Sequence, residues 1–212
     1  AAVSVVQGND PFGSAVVRSA PGFDAGQIAE MALWDDGTGG LVALRTGGLA
    51  QVSFVGGGQI QSQSIAQGEP MSGRVASDIV TATHNAQTVA VVTYGADDVI
   101  SLFRTSGGGV AQHMVDFAAG DGLWVDRPGA MAVTVGSDGG LYVVLASSGS
   151  GSLSVLAIDA DGSGMRVVDH VLDDLETRFD DASHVTALTV NGQAYVLAAG
   201  SDSGISLFAL LG

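Results

Sequence analysis

Four stretches of the chain repeat one another, starting 51, 52 and 54 residues apart. The first runs from Ile28, "IAEMALWDDGTGGLVALRTGGLAQVSFVGGGQIQSQSIA". The second runs from Ile79, "IVTATHNAQTVAVVTYGADDVISLFRTSGGGVAQHMVDFA". The third starts at Met131 and the fourth, which stops partway, at Val185. A period of this length constrains the fold more than any single motif, because each unit must bury its apolar surface against its neighbours.

Every unit holds short apolar runs in one order, A, B, C and D. In the third unit they are Met131–Gly136, Leu141–Ala146, Leu153–Ile158 and Met165–Val171. Turns rich in Gly, Asp and Asn separate them ("DDGTGG", "HNAQ", "GSDGG", "NGQ"), and such residues supply positive φ and local side-chain turns. Runs B and C are apolar at nearly every position ("VAVVTY", "LYVVLA", "AYVLAA"), which predicts burial on both faces. Run D is more polar ("QIQSQSIA", "MRVVDHVL") and suits an outer edge with one wet face. A four-stranded antiparallel meander of about 50 residues with a polar outer strand is a β-propeller blade. The fold class expected is therefore all-β, a partial or split β-propeller with residues 1–212 as a single region. Its parts are the end of a blade at 1–23, blades at 27–68, 77–120 and 129–172, and a partial blade at 185–212. The N-terminal stretch, "VSVVQGNDPFGSAVVRSA", matches strands C and D of a preceding blade. The expected partner is accordingly a protein that completes the ring, either another copy or another chain. "DDLETRF", 173–179, has room for one short helical turn.

Charge excludes several functions. There are 22 acids against 7 bases, all of them Arg, and the net charge is -15. Such a surface repels nucleic acid phosphate and anionic membranes. No apolar run approaches the length of a membrane-spanning helix, so neither nucleic acid nor membrane insertion is expected. With no Cys, disulfides, thiol catalysis and Cys-based zinc sites are ruled out. With no Lys, a phosphate-binding P-loop is ruled out too. There is no G-x-S-x-G elbow. His84, His113, His170 and His184 lie on different strands or strand ends without metal-ligand spacing. In the aligned repeat His113 and His170 share a strand D position, and Phe54, Phe103 and Phe208 share a strand C position, which reads as inter-blade core.

The candidate sites are acidic. In "AIDADGSGMRV", Asp159 and Asp161 alternate ahead of Gly162 like half of a calcium loop, although no Glu closes it. The equivalent loops "VGGGQ" and "TSGGGV" carry no acid, so the pattern favours a plain hairpin. Asp97, Asp98 and Asp202 fall in B–C loops on one side of the ring and are further candidate ligands. Calcium is the only cofactor for which the residues make a case. The densest acidic segment, "DDLETRFDDASH", offers Asp173, Asp174, Glu176, Asp180 and Asp181 as a partner-binding surface.

The stretches "VTALTVNGQAYVLAAGSDSGISLFALL" and "AVTVGSDGGLYVVLASSGSGSLSVLAID" resemble the propeller-like regions of alphaproteobacterial RTX (haemolysin-type calcium-binding) proteins. The resemblance implies secretion, an extracellular or cell-surface location, and roles in attachment or self-association. The family's glycine-rich calcium nonapeptide is missing from this chain, so its calcium binding does not carry over. The Trp34-Asp35 pair closes strand A, not strand C as in WD repeats. With no catalytic constellation legible, the expected function is a non-enzymatic binding or structural module of a secreted or surface bacterial protein. The alternative is a calcium-dependent propeller hydrolase or lyase acting at the central channel, for which Asp97, Asp202, Arg127 and Arg178 are the candidates.

Overall fold

The computed structural model describes residues 3–5, 16–18, 25–55, 59–65, 73–105, 109–118, 120–174, 176–201 and 204–210. Among the described residues, seventeen strands form five antiparallel sheets. A two-stranded pair joins β1 (Val3–Val5) to β2 (Val16–Arg18). The first full blade is β3 (Ile28–Leu33), β4 (Gly39–Leu44), β5 (Leu49–Val55) and β6 (Gln59–Ser64), paired in chain order. The second is β7 (Asp78–His84), β8 (Gln87–Tyr94), β9 (Val99–Thr105) and β10 (Gln112–Ala118). The third is β11 (Pro128–Val135), β12 (Leu141–Ser147), β13 (Ser152–Ile158) and β14 (Met165–Leu172). The fourth sheet holds β15 (His184–Val190), β16 (Gln193–Ala199) and β17 (Ile205–Leu210). The chain is thus a β-propeller built of four-stranded meanders, as the repeat predicts.

The first strands of successive sheets, β3, β7, β11 and β15, pack side by side. They form the inner wall of the arc, and β6, β10 and β14 lie at the far edges. Period-2 alternation sends successive side chains to opposite faces, so each sheet feeds two cores. Leu41 and Ala43 of the first blade meet Ala90, Val92, Tyr94 and Phe103 of the second. Val89, Val91, Ile100 and Leu102 meet Leu141, Val143, Leu145 and Leu156 of the third. Strands β8, β9, β12 and β13 are consequently buried on both faces, while the outer β6 and β14 are largely exposed.

Side chains also staple neighbouring blades. Thr81 Oγ1 donates to Leu33 O at 2.6 Å, and Thr83 N donates to the Asp35 carboxylate at 2.7 Å. Gln51 reaches from the first blade to accept from Ala111 N and donate to Gly109 O. Two A–B turns have two central residues with positive φ, Asn85–Ala86 and Asn191–Gly192, the geometry that matches strand twist in a tight hairpin.

Three features differ from expectation. Among the described residues of 173–179 there is one backbone turn, Thr177 N to Asp174 O, and no helix, and Asp173 and Asp174 engage the local backbone instead. His113 and His170 do not share a position. His170 pairs with Ser154, whose equivalent in the second blade, Ser101, pairs with Asp116. The same one-residue bulge interrupts both outer strand pairs, so His113, opposite Phe103, corresponds to Val167, opposite Leu156, and the unequal C–D loops set the two histidines out of step. Finally, β16 and β17 are buried on one face only. Ala194, Val196, Ala198 and Leu210 pack toward the third blade, whereas Leu188, Val190, Ile205 and Leu207 are exposed. No described sheet stands against that second face.

Candidate active site at the channel rim

The starts of the inner strands, the B–C loops and the D–A connections share one rim of the arc. Two carboxyls meet there that sequence reading did not single out. Asp78 is the first residue of β7, and its Oδ2 accepts from Met131 N of β11 at 2.7 Å while Oδ1 accepts from Ile79 N at 2.8 Å. The side chain is therefore fixed between the second and third blades. Glu30 lies on β3. The Leu33–Thr81 and Asp35–Thr83 bonds set the level of β3 against β7, and counting back along both strands brings Glu30 level with Asp78. Burial pushes the Asp78 carboxyl above the ordinary value of 3.8, the two backbone donors pull it down, and the Glu30 charge pushes it up again. The net shift is upward. Two carboxyls in different surroundings, one of them biased toward its protonated form, are the arrangement that can separate an acid role from a base role.

The rim around this pair is ordered by polar contacts. Thr93 Oγ1, fully buried, donates to Gly129 O at 3.1 Å, and Ser77 Oγ accepts from Gly95 N at 2.8 Å. Asp97 lies 3.8 Å from the Arg74 guanidinium. Asp98 accepts from Arg127 N at 2.7 Å and so ties the B–C loop of the second blade to the start of the third. Farther out, Trp124, Val125, Asp126, Ser150, His170 and Leu172 line an open groove of about 440 Å³. A larger cavity of about 540 Å³ opens on the opposite side, among Trp34, Thr38, Ser53 and Thr88, with Asp36 as its one acid. It offers no acid–base pair.

The residues singled out from sequence fall as follows. Asp161 Oδ1 accepts from Ser163 N at 3.0 Å and from Ser163 Oγ at 2.6 Å, and Gly162 N donates to Asp159 O. Residues 159–164 are thus a closed hairpin turn with Gly162 at φ 68. The Ser163 bonds hold the Asp161 carboxyl below the usual range. Asp97 and Asp98 sit on the rim, each with an Arg-linked partner, and Asp202 lies outside the described residues. Asp173 accepts from Thr177 Oγ1 and Phe179 N, Asp174 accepts from Glu176 N and Thr177 N, and Phe179 is fully buried beneath them. Asp173 and Asp174 therefore shape their own loop, while Glu176, Asp180 and Asp181 are exposed beside it. Arg178 is exposed on the fourth sheet's edge, away from Arg127. Among the described residues, no group of three or more His, Asp or Glu is placed to hold a metal ion.

No protein-family model matches the sequence, and neither does any curated protein. Solved structures do match. The chain is similar to an exo-β-1,3-galactanase from Phanerochaete chrysosporium, at 12% identity and a TM-score of 0.56, over 86% of this chain and 47% of that one. It is similar to the β-propeller domain of Cps50 (Swd1) from Myceliophteria thermophila, at 14% identity and a TM-score of 0.61, over 98% and 63%. It is also similar to a protein from Bacteroides uniformis assigned as a 6-phosphogluconolactonase, at 16% identity and a TM-score of 0.60, over 93% and 59%. The chain spans about half to three-fifths of these propellers.

At such identities the likeness establishes the β-propeller fold. It also corrects the expectation of a non-enzymatic module. Several of the similar propellers are described as enzymes, galactanases and lactonase-type proteins among them, and that counts against the non-enzymatic expectation. A propeller can assemble a site from single residues on different blades, which no linear motif records. A search for linear motifs passes over Glu30 and Asp78, which are 48 residues apart in sequence.

Proposed function

We propose that this propeller is a hydrolase of sugar-derived substrates that works at the channel rim with Asp78 and Glu30. The observation that carries the reading is the placement of two half-buried carboxyls at one level on inner strands of adjacent blades, with Asp78 clamped by two backbone donors. In this reading Asp78 is the general acid. It gives its proton to the leaving oxygen as the bond from carbon to that oxygen breaks. Glu30 takes a proton from water as the water oxygen bonds to the same carbon. The backbone donors Met131 N and Ile79 N hold the Asp78 carboxyl in one orientation, which is what a positioned acid requires. Galactanase and lactonase-type neighbours supply the substrate class.

The test is hydrolysis of p-nitrophenyl β-galactoside, β-1,3-galactobiose and gluconolactone by the chain and by Asp78→Asn and Glu30→Gln. Activity on one of the three is expected. Each substitution should lower kcat about 10²–10⁴-fold, the usual contribution of a positioned acid or base, with the melting curve retained. No turnover of any of the three, or turnover that survives both substitutions, overturns the reading.

A further inference from the structure

The connection from β10 to β11 alternates between exposed and buried over residues 122–126. Leu123 and Val125 are buried in the core shared by the second and third blades, and Trp124 between them is 79% exposed. Anchored on both sides, the Trp124 backbone has little freedom, so the indole is held out in solvent on a fixed stem. The other tryptophan, Trp34, is 6% exposed and belongs to the core between the first and second blades. Beside Trp124 stands Leu172, 59% exposed at the end of β14. The two form the apolar floor of the groove of about 440 Å³.

Polar groups surround that floor. Asp126 is exposed and 3.9 Å from the Arg127 guanidinium. Gly149 packs so tightly on Asp126 that a Cβ would meet its carboxyl, and Gly149 N donates to Asp126 O at 3.0 Å. Ser150 Oγ and Ser152 Oγ share a hydrogen bond of 2.7 Å. His170 Nδ1 is engaged by Ser154 Oγ at 2.9 Å, and Ser154 is fully buried. The ring is thus held from within the blade, leaving Nε2 as its remaining polar atom.

We propose that the Trp124 groove is a binding site for a neutral saccharide. A sugar ring has one face of C–H groups and a perimeter of hydroxyls. An exposed indole beside a leucine suits the first, and a carboxylate, a serine hydroxyl and an imidazole suit the second. A charged glycan is disfavoured: anions are repelled by a net charge of -15, and a cationic sugar would face Asp126 beside a competing Arg127. A bare apolar patch for a protein would not need the polar perimeter. The site lies at the outer edge of the rim, at a distance from Asp78, and binds whether or not the channel is catalytic.

The two tryptophans make the test direct. Lactose, cellobiose and maltose are titrated into the chain while emission and acrylamide quenching are followed. Trp124 supplies the quenchable, red-shifted emission and Trp34 the protected part. Binding should shift the emission to the blue and protect it from acrylamide with at least one disaccharide. By calorimetry Trp124→Ala should weaken that binding about tenfold or more, and Asp126→Asn several-fold, with the circular dichroism spectrum unchanged. Hydrolysis plays no part in this readout, so its failure is separable from failure of the proposed activity. No change with any of the three sugars overturns the proposal, as does binding that Trp124→Ala leaves intact.

Discussion

Asp78 illustrates how much a single side chain can carry when it sits where two sheets meet. Its carboxyl is raised by burial first and by Glu30 as well, against the pull of Ile79 N and Met131 N. The sign of the consequence follows from linkage. Between the ordinary value of 3.8 and the raised one, the folded chain binds more protons at this position than the unfolded chain. The stability that Asp78 contributes is fully present below 3.8 and is lost as pH rises through the raised value. Urea denaturation of wild type and Asp78→Asn at a series of pH values should therefore show the variant gaining relative to wild type as pH rises from 3.8 through the raised value. A difference that stays flat across that range would mean that the carboxyl is not raised. Asp138 has the opposite sign, since the Tyr142 hydroxyl and Gly140 N hold it low, and its contribution fades as pH falls. The pair of Asp78 and Glu30 was not legible as a motif. A trace of it was present, because the inner strands place Glu30, Ala130 and His184 where the second blade has Asp78, and two of the four are acids. An acid on an inner strand is a better signal than an acid-rich loop. The loop at 173–181 used Asp173 and Asp174 to shape its own backbone.

One strand occurs twice with the same core residues and opposite surroundings. "ISLF" is Ile100–Phe103 in β9 and Ile205–Phe208 in β17. Register confirms the equivalence: Ile100 pairs with Thr93 and Phe103 with Ala90, as Ile205 pairs with Ala199 and Phe208 with Val196. Ile100 and Leu102 are 0% exposed beneath the third blade, whereas Ile205 and Leu207 are 71% and 61% exposed. The phenylalanines face the preceding blade in both cases, Phe103 against Leu41 and Phe208 edge-on to Phe179 at 5.7 Å. Strand identity and alternation were therefore readable from residues alone, and burial was not, because burial belongs to the neighbouring sheet. The energetic contrast is measurable. Leu102→Ala removes a fully packed side chain and should cost about 2–5 kcal/mol in chemical denaturation. Leu207→Ala at the equivalent position should stay within about 0.5 kcal/mol. Equal losses would show that something covers β17 in solution.

Across the whole molecule, stability should follow the stacking of sheets and not the quality of any one sheet. Each sheet interacts with its immediate neighbours, so a stack behaves as a line of units joined by interface terms. The second blade has a described core on both sides, with Phe103 and Val92 in one and Leu102 and Val91 in the other. The third likewise shares Leu145 and Leu156 with the second blade and Ala146 and Tyr142 with the fourth sheet. The fourth sheet has one such face, and its inner strand β15 is exposed at five of seven positions. Local opening is governed by the apolar contacts that must be broken, so the order of opening is set by position in the stack. Native-state hydrogen exchange should find the amides of β8, β9, β12 and β13 among the slowest, exchanging only with global unfolding. Those of β15, β16 and β17 should exchange through a smaller opening at lower free energy, even though β16 and β17 are fully paired with each other. The Phe179 anchor should open with them, since its ring packs on Phe208 and its segment joins the third blade to the fourth sheet. Uniform protection from β8 to β17 would contradict this picture, and would mean that the exposed face of Ile205 and Leu207 is covered in the folded molecule in solution.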